Sequence, residues 1–169
     1  MKVVLVNEHD QAIGEIEKMA AHEQGLLHRA FSVFLMNDQH QILMQQRAFD
    51  KYHSGGLWTN TCCSHPQPHE TIKEAAERRL LEELNIIATV SPFYEFVYRH
   101  EFENGLIEHE YDHVLTGYYN GVCTVNPEEV AGVQWMSVSA IDTALEAYPE
   151  KYTYWFKLAY PAIREWILM

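Results

Sequence analysis

At 169 residues and 47% apolar content, the chain can bury one core of ordinary domain size. Its 24 acidic residues against 12 basic ones leave a net charge of −12, which argues against nucleic acid or an anionic membrane as a partner, since both bind basic surfaces. Cys62, Cys63 and Cys123, an adjacent pair within an odd total of 3, do not suggest a disulfide framework and fit a reducing compartment. The start, Met1 to Asn7, is too soon interrupted by Glu8-His9-Asp10 to be a signal peptide, and no apolar run approaches membrane-spanning length. With no repeat or linker, the expectation is one soluble, cytoplasmic domain over 1–169.

In chain order, Val3 to Val6 and Ile13 to Glu17 read as two short strands around a polar turn. His22 and His28 follow; each alone is an ordinary surface or hydrogen-bonded core histidine. Ala30 to Met36 and Ile42 to Gln46 are apolar or alternating runs separated by Asn37-Asp38-Gln39-His40, which predicts a hairpin. Arg47, Lys51, His53 and a Gly55-Gly56 turn lead into Trp58.

The loop from Trp58 carries a thiol and an imidazole, Cys63 and His65, and runs into a helix. Thr71 and Glu74 fit a capping box, Ile72, Ala76, Leu80 and Leu84 form an apolar stripe, and Asn85 is a left-handed stop. Arg79 lies one turn before Glu83, and Arg78 one turn before Glu82. From the helix alone, a solvated face with two weak ion pairs is an equal reading.

Phe93 to Phe102 has strand composition, and Glu103-Asn104-Gly105 turns the chain into a second strand, Leu106 to Tyr119. Glu108 and Glu110, two apart, point to one sheet face, where like charges are unfavourable unless solvated or shared with a cation. His109 and His113 fall on the other face. Val130 to Met136 is a later strand. The tail from Tyr152 to Met169 is helical, with Trp155, Leu158, Ala159, Ala162, Ile163 and Trp166 on one face and a kink expected at Pro161.

Two resemblances give these residues roles. Ser64, five residues, Glu70, seven residues, then Arg78-Arg79-Leu80-Leu81-Glu82-Glu83-Leu84-Asn85-Ile86 resembles the Nudix box, Gly-x5-Glu-x7-Arg-Glu-U-x-Glu-Glu-x-Gly-U, where U is a large apolar residue. Ser64 and Asn85 stand for its glycines, and Arg79 replaces one glutamate. The resemblance implies an α/β (α+β) fold, a Nudix-like α/β/α sandwich with a mixed central sheet, whose loop-helix-loop presents carboxylates to a divalent cation on a diphosphate. Loss of one acidic ligand to Arg79 argues against ordinary Nudix hydrolysis.

More specifically, Thr59-Asn60-Thr61-Cys62-Cys63-Ser64-His65-Pro66 together with Glu108-His109-Glu110 resembles the type 1 isopentenyl diphosphate isomerases, the Nudix branch that moves a double bond. This resemblance spans His22 to Trp155; Ser64 stands where many bacterial members have Gly. It implies a metal site of His22, His28, His65, Glu108 and Glu110, whose mixed N and O donors suit Zn²⁺ or Mn²⁺. It also implies a Mg²⁺ carried with the diphosphate, with Glu83 and a backbone carbonyl near Cys63 as ligands. Arg47, Lys51 and Arg79 would hold the diphosphate, supplying the local basic cluster that an acidic chain needs for such a ligand. Cys63 and Glu110, with Tyr98 beside the glutamate, would handle the protons.

Trp155 would line the pocket and face a carbocation, although a core Trp is an equal reading of it. The partners expected are a small-molecule diphosphate, with no nucleic acid or membrane, and a monomer or homodimer. A Nudix pyrophosphohydrolase of nucleoside diphosphate derivatives and a non-catalytic zinc-bound domain are the alternatives.

Overall fold

The structure is a computed structural model describing residues 1–169. Its centre is β3 (His28–Met36), whose run of apolar residues is buried on both faces. Phe31, Val33 and Leu35 belong to one core cluster with Ala76, Leu80 and Leu84 of α2 (Ile72–Leu84). Phe34 and Met36 belong to a second cluster with Ile141 of α3 (Val138–Ala147) and Phe156, Ala159 and Ile163 of α4 (Tyr154–Leu168). Alternation along one strand thus loads helices onto both faces of the sheet, giving the expected α/β/α arrangement.

The sheet is mixed. The hairpin of β1 (Lys2–Val6) and β2 (Ala12–Glu17) is antiparallel, and β1 meets β3 at Leu5 opposite His28. Along its other edge β3 pairs in parallel with β8 (Ile107–Tyr118), from His28 opposite Glu110 to Met36 opposite Tyr118. β8 in turn forms a long antiparallel hairpin with β7 (Val90–Glu101). Short β6 (Cys62–Ser64) joins β3 with Cys63 opposite Ser32.

Two expectations need correction. The hairpin of β3 with β4 (Gln41–Arg47) opens at once, pairing only Met36 with Ile42. Beyond that point β6 takes the β3 edge, while β4 pairs with β9 (Val130–Ser137) and β5 (Trp58–Thr59). The buried face of α4 is also rotated from the expected one: Phe156, Tyr160 and Ile167 are inside, and Leu158 is 40% exposed. The tail is helical as expected, and α4 runs through Pro161, which lies on its exposed side. The helices α1 (Lys18–Gln24) and α3, the latter capped by the Ser137 hydroxyl, were not anticipated.

Helix α2 forms as its sequence dictates. The Thr71 hydroxyl accepts from the Glu74 N–H, and Asn85 ends the helix at φ 54°. Arg78 grips Glu70 with Nε and Nη2 at 2.7 and 2.9 Å, and reaches Glu82 at 3.1 Å. This fork ties the preceding loop to the helix, so α2 is a fixed platform under Cys63 and His65. Leu80 is fully buried at its centre. Leu80→Ala is expected to cost about 2–5 kcal/mol, read as a shift in a urea midpoint; a loss below about 1 kcal/mol would show that the core collapses around the gap.

Candidate active site and metal centre

The N-terminal end of β3 and its neighbours bring the titratable side chains together. His28 opens β3, Glu110 is its register partner on β8, and Tyr98 is the partner of Glu110 on β7. His65 follows β6, and α1 supplies His22. The ligand atoms of His22, His28, His65 and Glu110 all lie within 4.8 Å of one another, and the four residues are buried. Glu110 Oε2 is 2.8 Å from His65 Nε2 and 3.1 Å from His28 Nε2, and these two nitrogens are 3.3 Å apart.

This arrangement fits a divalent cation. His28 Nδ1 donates to the Leu26 carbonyl at 2.9 Å, so in the neutral ring Nε2 offers a lone pair toward a carboxylate that also only accepts. His22 Nε2 is buried without a partner, as is His65 Nδ1. Burial and the neighbouring His65 and His28 rings push His22 down to about 3, so its imidazole is neutral. Burial also lowers His65, whereas at His28 the Glu110 hydrogen bond and charge outweigh burial and raise it. Too few N–H donors face these lone pairs, and a cation satisfies them where one shared proton otherwise must.

Glu108 stands one step aside from the four. It groups instead with His22 and His53, its Oε2 lying 2.9 Å from His53 Nε2. The Tyr98 hydroxyl contacts both Glu108 and Glu110, the latter at 2.7 Å. Burial and the Glu108 and Glu110 charges hold Tyr98 well above the usual phenol range, so it keeps its proton. His53 was passed over in the sequence because nothing in its local pattern separates it from a loop histidine.

The same cleft is lined by Cys63, Trp155, Arg47, Lys51, Arg79 and Glu83. Lys18 also lines it, at the start of α1, as does Glu129, and neither was anticipated. Arg79 is engaged with Glu82 and Glu83, each at 2.7 Å, and lies 3.4 Å from Glu129, which also pairs with Lys51. Glu83 is buried and accepts from Gln45 at 3.0 Å. Arg47 lies over the Trp155 ring, and its buried Nε has no partner. Burial, and after it the Lys51 and Arg47 charges, pull Lys18 below its ordinary range.

Trp155 Nε1–H donates to Cys63 Sγ at 3.1 Å, and Thr59 Oγ1 lies 3.7 Å from the same sulfur. Trp155 is therefore both buried and a pocket wall.

A family model described as the NUDIX domain matches residues 26–156. An isopentenyl-diphosphate Delta-isomerase of Pectobacterium atrosepticum is 46% identical over 165 residues, covering 98% of this chain and 92% of that protein. One from Photobacterium profundum is 48% identical over 161 residues, covering 92% and 89%. The chain belongs to the isopentenyl-diphosphate Delta-isomerase family of Nudix proteins. The crystal structure of DR0079 from Deinococcus radiodurans has the same fold, with a TM-score of 0.77, 23% identity and coverage of 97% and 98%. A MutT protein from Methanosarcina mazei aligns with a TM-score of 0.64 at 18% identity, covering 82% and 94%.

On α2, Arg79 is a cation paired with both Glu82 and Glu83 of the next turn. The thiol of Cys63 has its own pH signature. Burial pushes it up to about 12 against the opposing influence of Arg47, so the thiol form dominates at neutral pH. Iodoacetamide labelling of Cys63, mapped by peptide mass, is expected to rise about tenfold per pH unit with no plateau near the ordinary thiol value of about 8.5. A plateau in that range would show that the sulfur is solvated.

Proposed function

We propose that this chain isomerises isopentenyl diphosphate to dimethylallyl diphosphate. The observation that carries the proposal is the meeting, in one cleft beside a basic cluster, of the Cys63 thiol with Glu110, whose carboxylate accepts from the Tyr98 hydroxyl. The reaction adds a proton to an unactivated alkene and removes another from the neighbouring carbon, through a tertiary carbocation. It needs two proton-handling groups, a π surface for the cation, and exclusion of water.

In this reading Arg47, Lys51, Arg79 and Lys18 bind the diphosphate and set the alkene at the depth of Cys63. Cys63 moves a proton at one side of the alkene, and Glu110, relayed through the Tyr98 hydroxyl, at the other. The Trp155 ring faces the cation, and its N–H orients the sulfur. His22, His28, His65 and Glu110, with Glu108 alongside, would hold a Zn²⁺ or Mn²⁺, whose charge would stabilise negative charge on Glu110 and make the Tyr98–Glu110 pair a better donor. Mg²⁺ would accompany the diphosphate, with Glu83 and a backbone carbonyl near Cys63 as ligands.

The test is incubation of purified protein with labelled isopentenyl diphosphate, Mg²⁺ and Mn²⁺, followed by separation of products. Dimethylallyl diphosphate without free phosphate is the expected result. Phosphate release without isomerisation would overturn the reading in favour of a hydrolase.

A further inference from the structure

We infer that His53 is a positioning residue of the metal centre, fixing the Glu108 carboxylate through its Nε2–H. The inference rests on the reading above that Glu108 and Glu110 serve a divalent ion. Both side chains are nearly sealed, His53 at 4% and Glu108 at 5% exposure, and Nε2 lies 2.9 Å from Oε2. The other Glu108 oxygen meets only the Tyr98 hydroxyl, which also contacts Glu110 Oε1. A phenol has one proton for these two carboxylates. His53 is therefore the one donor that Glu108 does not share, and without it a buried carboxylate would be left with a contested hydrogen bond.

The imidazole is itself held in place. It stacks on Phe102 with ring centres 4.4 Å apart and planes 13° apart, and it meets Tyr52 and Trp155 edge-on at 4.8 and 6.1 Å. Its Nδ1 lies 3.3 Å from Ser54 Oγ; accepting from that hydroxyl puts the ring proton on Nε2, where it points at Glu108. The same residue reaches the basic half of the cleft, because its backbone carbonyl accepts from Arg47 Nη2 at 3.4 Å. Its neighbour Tyr52 places a hydroxyl 3.3 Å from His22 Nδ1. The turn after β4 therefore braces carboxylate and imidazole ligands from one side, as outer partners of metal ligands do.

The experiment uses the full chain, stripped with chelator and titrated with Mn²⁺ alone, free Mn²⁺ being counted by electron paramagnetic resonance. His53→Leu keeps bulk but no donor; His53→Gln returns an amide N–H at the distance of Nε2. The expected result is a Mn²⁺ Kd weakened about 10–100-fold in His53→Leu and largely recovered in His53→Gln, with circular dichroism melts confirming that both are folded. Parent-like affinity in His53→Leu would overturn the inference. So would a His53→Gln variant as weak as His53→Leu, which would make His53 a direct ligand or a packing piece. A parent chain that binds no Mn²⁺ would remove the centre itself, and that outcome is visible before any variant is compared.

Discussion

Cys63→Ala is expected to lower kcat for isomerisation by about 10³-fold or more, the range lost when a positioned acid or base is removed. Alanine cannot carry the proton, and no other thiol can substitute, because Cys62 points into the core beneath α2 and is fully buried. Substrate affinity should hold, since the groups proposed to bind the diphosphate are Arg47, Lys51, Arg79 and Lys18. Mn²⁺ affinity should hold too, because the Cys63 sulfur lies outside the His/Glu cluster. The variant loses the sulfur that accepts from the Trp155 N–H, at a cost of about 1 kcal/mol. Steady-state kinetics with product analysis reads the result. A kcat within tenfold of the parent would move the proton to another group.

Glu110→Gln is the second large effect, and it should strike metal and turnover together. Glu110 carries the charge that both His28 and His65 face. Burial alone would raise its carboxyl, but His65 and His28 outweigh burial and hold it well below the usual carboxylate range. An amide turns N–H donors or a weaker oxygen toward ring nitrogens that must offer lone pairs to an ion. The Mn²⁺ Kd should weaken about 100-fold. At saturating Mn²⁺, kcat should still fall about 10³-fold, because Tyr98 has lost its ionised partner. Recovery of parent kcat once metal is saturating would confine Glu110 to metal binding and take it out of the proton path.

Local physics made much of this legible in the chain. A capping hydroxyl, a four-residue apolar repeat and a left-handed Asn bound α2 within the helix itself. Strand parity alone put Glu108 and Glu110 on one face and His109 on the other, because alternation depends only on the pleat. His109 does lie away from the cluster, against the Gly25 carbonyl. The box spacing and the Cys-Ser-His-Pro and Glu-x-Glu elements carried the family resemblance.

What the chain could not state on its own is which edges meet. His28 and Glu110 are 82 positions apart, and only the parallel pairing of β3 with β8 sets them in register. The opened β3–β4 hairpin has the same origin: its local pattern is sound, but β6 and β9 compete for the two edges and win. Lys18, His53 and Glu129 carry no local signal, since one charged or imidazole side chain near a turn reads as solvated until the fold buries it. Amino-acid order thus determined helix α2, most of the strands, the parity of Glu108 and Glu110 on β8, and the family, through interactions spanning a turn or a pleat. Tertiary structure decided which side chains share the cleft, which carboxylate each histidine meets, and how far α4 rotates, because those outcomes depend on packing between segments distant in sequence.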